Sequence, residues 1–406
     1  MDTVNTLLPK LRFPEFQDFP AWKKTPLEDT FSLVVRQVKK PENPYTGLGI
    51  RSHGKGTFLK NLEIPEKNAM EYLYEVQSDD LIVNITFAWE GAIAIVKKND
   101  SGALVSHRFP TYIFNKDVAI PEFFQYIILE KQFIYNLGII SPGGAGRNRV
   151  LNKNDFLKLT VAVPDVPEQQ KIADCLTSLD AWIAVQSQKV EALKAYKKGL
   201  MQNLFPAEGE SVPRLRFPEF QDAGEWEEEK LGNISFFVNE RISLEKLNLD
   251  NYISTENILP DYMGVIRATK LPPSGSAIQF KMNDILISNI RPYLKKVWLS
   301  NKDGGASNDV LIVRAKEKIT AKYLSFMLVN DAFIEYVMKG AKGLKMPRGD
   351  ISLMKEYPLA YPSISEQQRI AEFLTTIDEQ ISAQSETVAA LKVHKKGLMQ
   401  QLFPSI

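Results

Sequence analysis

Residues 168–206 read EQQKIADCLTSLDAWIAVQSQKVEALKAYKKGLMQNLFP, and residues 366–404 read EQQRIAEFLTTIDEQISAQSETVAALKVHKKGLMQQLFP. The copies lie 198 residues apart and share 24 of 39 positions without a gap, so the chain is a tandem duplication. A shorter pair, LRFPEFQD, opens each half at 11–18 and 215–222. The long segments in between do not match. A duplicated frame around two diverged inserts reads as a scaffold that presents two different readers.

Apolar residues in the first copy fall at Ile172, Leu176, Leu179, Ile183, Val190, Leu193, Leu200 and Leu204; in the second they fall at Ile370, Leu374, Ile377, Ile381, Val388, Leu391, Leu398 and Leu402. Steps of four and three alternate, which is the a/d seam of a coiled coil. The spacing predicts a helix over 168–204, about 55 Å long at 1.5 Å per residue. Prolines at 164, 167 and 362 precede the copies, and Pro206 and Pro404 end them. Two seam positions are polar in both copies, Gln186 with Gln384 and Lys197 with Lys395. Matched polar breaks commonly specify register. The two stripes are natural partners for each other, and antiparallel pairing would put the inserts at opposite ends of a rod; the alternative is that each stripe pairs with an outside protein. KKGLMQ recurs intact at 197–202 and 395–400. Lysines suit a helix C-terminus, but the kept glycine points to a further contact surface there.

With 44% apolar and 24% charged residues, the 406-residue chain has globular composition and room for two or three domains. The lone Cys175 excludes an internal disulfide or a cysteine-rich zinc site and aligns with Phe373, as a packing residue would. The N-terminus lacks a signal-peptide pattern and no long apolar run occurs, so no membrane association and a cytoplasmic location are expected. Net charge is +1, but residues 265–355 hold 16 Lys and Arg against 7 Asp and Glu, while 207–250 hold 5 against 11. The second insert is therefore basic, as a phosphate-binding surface requires. The first, 31–161, is only mildly so, at 16 against 13.

Both inserts carry short runs rich in Ile and Val, beginning at Leu81, Ala92, Ile285 and Asp309, which read as strands. Each set is followed by a helix, after Ala119 and after Ile319, then a Gly-rich basic loop (141–153 or 339–350) and a short strand leading into the long helix. Glycine lets backbone approach phosphate, and Arg147, Asn148, Arg149 and Lys153, or Lys342, Lys345 and Arg348, offer donors for phosphate oxygens and base edges. Asn289, Arg291, Lys295 and Lys296 form another basic set around Tyr293; His107 and Arg108 are further candidates. The bland alternative for each loop is a solvated turn.

Signs of catalysis are weak. Residues 49–56 follow a P-loop pattern as far as Lys55, but Gly56 stands where a magnesium-binding hydroxyl belongs. The three histidines, His53, His107 and His394, lie at no metal-ligand spacing, so no metal site and no cofactor are expected in this chain. Asn43-Pro44-Tyr45 and Leu271-Pro272-Pro273 are only fragments of an amino-methyltransferase motif. A bivalent protein-binding scaffold is the rival reading, and a nuclease or NTPase a more distant one.

Two variable α+β segments, each ending in a Pro-rich strand, then EQQ[KR]IA, a heptad helix and KKGLMQ-LFP, resemble the specificity subunit of type I restriction-modification enzymes. The opening LRFPEF followed by Trp22 or Trp226 fits the same family. The resemblance implies an α+β fold: two tandem α/β-mixed target recognition domains separated by two long conserved helices forming an antiparallel coiled coil. The expected division is 1–164 for the opening segment and first recognition domain, 165–206 for the first helix, 207–362 for the second recognition domain with its opening segment, and 363–406 for the second helix. It further implies that each domain reads one half of a bipartite, asymmetric site in double-stranded DNA. Two modification subunits would bring S-adenosylmethionine for adenine N6-methylation, and restriction subunits would bring ATP and magnesium. The family has no fixed base-reading motif, so the contact residues above rest on charge and loop placement.

Overall fold

The repeated segments form two helices of 39 residues, Val166–Leu204 and Ile364–Leu402. The computed structural model describes residues 7–404 except 61, 144–148, 208 and 344. Contacts divide the chain into two units, Met1–Ser187 with Glu386–Ile406, and Gln188–Ser385. Each unit thus holds the start of one long helix and the end of the other.

In the first unit Ile172 and Leu176 share a core with Leu402 and Phe403. In the second, Ile370 and Leu374 share one with Leu204 and Phe205. Start meets end, so the helices run antiparallel within each unit. Of the predicted seam, Ile172, Leu176, Val190, Ile370, Leu374, Ile377 and Val388 are buried, and Leu179, Ile183, Leu193, Ile381 and Leu391 are half-buried. The lysine breaks have a physical reason. Lys395 Nζ meets the Asp180 carboxylate at 2.5 and 2.6 Å in the first unit, and Lys197 Nζ meets Asp378 at 2.6 and 2.7 Å in the second. Each ammonium also lies 5.1 Å from a ring centroid, Tyr126 or Phe326. A one-turn slip would separate these charges, so the pairs hold the antiparallel register.

The inserts, unmatched in sequence, share a sheet. In the first unit its strands run in the order Phe31–Val34, Thr111–Phe114, Leu81–Val83, Ile93–Ile95, all antiparallel. In the second unit the order is Ser235–Phe237, Val310–Ala315, Ile285–Ser288, Val297–Leu299, again antiparallel. A two-stranded ribbon joins the opening segment to the strand before each long helix: Lys23–Pro26 with Thr160–Val163, and Glu227–Lys230 with Pro358–Tyr361. The remaining strands differ. The first unit adds a three-stranded sheet and the hairpin Leu48–Ile50 with Thr57–Leu59; the second adds a four-stranded sheet in which Tyr252–Ile253 runs parallel to Gly304–Ala306.

Two local expectations are corrected, and the P-loop-like stretch takes a definite form. The helix expected after Ala119 is two, Pro121–Ile127 and Lys131–Ile139, and the one after Ile319 is likewise two, Ala321–Leu328 and Asp331–Lys339. In the second case Asn330 has extended backbone and its side chain accepts from Ala332 N–H, so it starts a new helix instead of continuing the old one. Short helices, Lys153–Lys158 and Ile351–Lys355, stand between each Gly-rich loop and its following strand. Asn152 and Asp350 cap them with side-chain oxygens on two backbone N–H groups each. The P-loop-like residues turn a β-hairpin, with Arg51 N–H on Gly56 C=O at 3.0 Å, and the strand Thr57–Leu59 follows where a P-loop has its helix.

Candidate nucleic-acid interface

In the second unit the hairpin turn after Ile285–Ser288 and the Gly-rich loop, distant in sequence, are stitched into one ledge. Arg291 N–H bonds Pro347 C=O at 2.8 Å, Gly349 N–H bonds Asn289 C=O at 3.2 Å, and Lys342 and Arg348 exchange backbone bonds of 3.0 and 2.9 Å. Gly349 permits this approach: a Cβ there would lie 3.0 Å from Asn289 Oδ1 in the hairpin turn and 2.2 Å from Met354 Cε in the helix behind. The structure so brings together Asn289, Arg291, Lys342, Lys345 and Arg348, which the sequence offered as separate clusters.

Their cationic groups are not equally available. Lys295 Nζ sits 2.6 Å from Asp331, and this bond raises the lysine pKa and lowers that of the carboxylate. Lys296 donates to Thr255 C=O at 2.7 Å, and burial pushes its ammonium down. Arg348 pairs with Asp309 at 2.9 Å, and Lys342 with Asp350 at 3.2 Å while remaining largely exposed. Arg291 and Lys345 are exposed and have no side-chain partner among the described residues. The Asn289 side-chain oxygen is buried without a donor among them.

The first unit repeats the ledge with other side chains. Asn84 N–H bonds Ala92 C=O at 2.9 Å as Ser288 N–H bonds Lys296 C=O at 3.0 Å; Leu151 N–H bonds Ile85 C=O at 2.8 Å as Gly349 bonds Asn289. Ile85 N–H bonds Arg108 C=O at 3.1 Å as Asn289 N–H bonds Asp309 C=O at 2.9 Å. These matches set Phe87 and Arg291 at one position, the N-cap of the three-residue turns Ala88–Glu90 and Pro292–Leu294. The residues closing the turns, Gly91 and Lys295, are both left-handed, with φ of 74° and 54°. Arg291 is left-handed too, at φ 52°. For a side chain with a Cβ such a conformation costs about 1–2 kcal/mol.

Among the first-unit candidates, Arg149 is used locally. Its guanidinium donates to Ser141 and Gly138 carbonyls at 3.0 and 2.7 Å, closing the end of Lys131–Ile139, and lies 5.3 Å from the Trp89 ring centroid. Lys153, His107 and Arg108 are exposed. Arg147 and Asn148 lie outside the described residues. Among the described residues no cluster of His, Cys, Asp and Glu suits a metal, and no helix is long and apolar enough to cross a membrane.

The family model described as the type I restriction modification DNA specificity domain matches residues 29–195 and again residues 224–392. The chain belongs to this family. It is 23% identical over 299 residues to the type I restriction enzyme EcoDI specificity subunit of Escherichia coli, covering 64% of this chain and 65% of that one. It is 24% identical over 358 residues to the type I restriction enzyme MjaVIII specificity subunit of Methanocaldococcus jannaschii, covering 81% and 80%. The first alignment therefore spans just under two thirds of that relative's length. In fold it is similar to the type I restriction-modification system S subunit from M. genitalium, with a TM-score of 0.60 at 15% identity over 98% of this chain and 100% of that one.

In this specificity-domain chain the residues that tie frame to reader escaped sequence reasoning. Arg12 of LRFPEF meets Glu168, the first residue of the repeated EQQ, at 2.9 and 2.6 Å and also donates to Phe19 and Pro20 carbonyls. Arg216 meets Glu366 at 2.8 Å on both nitrogens. Both pairs are buried. The next residue is a clasp as well: the Gln169 amide bonds Ile120 N–H and the Val118 and Pro164 carbonyls, and Gln367 does the same for Thr320, Lys318 and Pro362. The available signal was the recurrence of both short motifs in each half of the chain.

Proposed function

We propose that this chain is the DNA sequence-specificity subunit of a type I restriction-modification complex and is itself non-catalytic. Each unit reads one half of a bipartite, asymmetric site in double-stranded DNA through its ledge, and the long helices set the spacing between the halves. The observation that carries the reading is the doubling itself: one frame, one clasp and one central sheet occur twice, yet the ledges they support present different side chains. A palindrome would need the same ledge twice.

The chemistry belongs to partners. Two modification subunits supply S-adenosylmethionine and methylate adenine N6, restriction subunits supply ATP- and magnesium-dependent translocation and cleavage, and the complex works in the cytoplasm. The KKGLMQ ends are the proposed docking surface for the modification subunits. A Cβ at Gly199 or Gly397 would meet nothing within 4 Å, so packing inside the chain does not demand either glycine. A closely approaching outside surface does account for them.

Exchanging residues 31–161 for the matching insert of another specificity subunit tests the division of labour. The methylated sequence should change in one half only. A change in both halves, or in neither, contradicts it.

A further inference from the structure

The head of the matched hairpin turn is where the two ledges diverge most sharply: an exposed aromatic, Phe87, in the first and an exposed arginine, Arg291, in the second. Arg291 stands apart from every other arginine of its unit. Arg214, Arg216, Arg267, Arg314, Arg348 and Arg369 each hold a carboxylate, and Arg241 holds the Asn308 amide oxygen. Among the described residues the Arg291 guanidinium has no such partner.

Its backbone, by contrast, is held on both sides. The N–H bonds Pro347 C=O at 2.8 Å, the C=O accepts from Leu294 N–H at 2.9 Å, and the neighbouring Ile290 bridges to Arg348. The following residue is the buried Pro292, and φ is left-handed at 52°. Strained backbone fixed by its surroundings, carrying an unpaired planar cation, is an arrangement for presenting that cation to something outside the chain. A loose surface arginine that merely meets phosphate needs no fixed base. A guanidinium that must meet two acceptors at once in one plane does, and guanine O6 and N7 in the major groove are such a pair. The cations around it, the exposed Lys345 with no side-chain partner among the described residues and the largely exposed Lys342, suit phosphates.

We propose that Arg291 is a specificity-determining residue, reading one guanine in the half-site of the second unit; this rests on the reading of the chain as a DNA specificity subunit. The test maps methylated adenines genome-wide in cells that carry the full-length chain, or a variant, together with its modification subunit. With the natural chain the second half-site contains an invariant guanine. Arg291→Gly keeps the left-handed turn without strain, and Arg291→Lys keeps the charge but not the planar fork. In both, preference for guanine at that one position should fall by roughly 5- to 150-fold, the range that about 1–3 kcal/mol for a bidentate base contact converts to. The other half-site and the gap should not change.

Two results would overturn the inference while leaving the bipartite reading intact: an unchanged preference in Arg291→Gly, or a uniform drop at all sites in Arg291→Gly that Arg291→Lys restores, which marks a phosphate contact. An absence of any bipartite methylation with the natural chain overturns both.

Discussion

Removing the Glu168 carboxylate should unfasten the opening segment from the long helix. In the natural chain the Arg12 side chain is 8% exposed and the Glu168 side chain 2%. Four bonds hold the guanidinium: two to the carboxylate, at 2.9 and 2.6 Å, and two to the Phe19 and Pro20 carbonyls, at 2.7 and 3.0 Å. Trp22 Nε1–H donates to the same carboxylate at 3.3 Å. Glu168→Ala leaves the two carbonyl bonds but strands a buried cation and an indole donor, and breaking a buried pair on one side costs about 3–5 kcal/mol. The readout must report one unit alone, and native-state hydrogen exchange followed by mass spectrometry does so. At a factor of ten per 1.4 kcal/mol, amides in peptides covering 7–26 and 166–176 should exchange roughly two to three and a half orders of magnitude faster. Peptides from residues 215–361 serve as the internal control. Replacing both partners together, Arg12→Met with Glu168→Leu, should restore part of the protection, because it removes the stranded charge but leaves the Trp22 N–H without its acceptor. Acceleration of less than tenfold in Glu168→Ala would refute the buried clasp.

Other consequences concern DNA. Lys345→Ala with Arg348→Ala in the assembled complex should weaken binding and reduce the slope of log affinity against log salt by about 1–2, since each lost phosphate contact removes about 0.9; an unaltered slope would remove that loop from the interface. Adding one heptad to both long helices together should lengthen the gap between the half-sites, and an unaltered gap would sink the idea that the helices set it.

What could be read without coordinates was local and periodic. The seam from Ile172 to Leu204 repeats every three or four residues, so a helix and its buried face follow from the pattern alone. The clasp joins residues 156 apart in one copy, Arg12 with Glu168, and 150 apart in the other, Arg216 with Glu366, and no periodicity links them. The shared sheet was hidden for a related reason. Buried strands such as Leu81–Val83 and Ile285–Ser288 need only be apolar and β-branched, so their sequences drift while their pairing persists. Charge counting found the ledge of the second unit, yet it treated all cations alike. Only the structure separates Lys295, held by Asp331, and Lys296, held by Thr255, from Arg291, whose guanidinium has no partner among the described residues. Arg149 shows the same limit, since its two carbonyl acceptors come from the end of a helix that the sequence did not bound.

The central claim is that one duplicated frame carries two unlike DNA readers. Genome-wide mapping of methylated adenines in cells that carry the natural chain with its modification subunit addresses it directly. The account predicts one recognition sequence in two unlike halves with a fixed gap between them. A palindrome, a single uninterrupted sequence, or methylation that does not depend on this chain would contradict it.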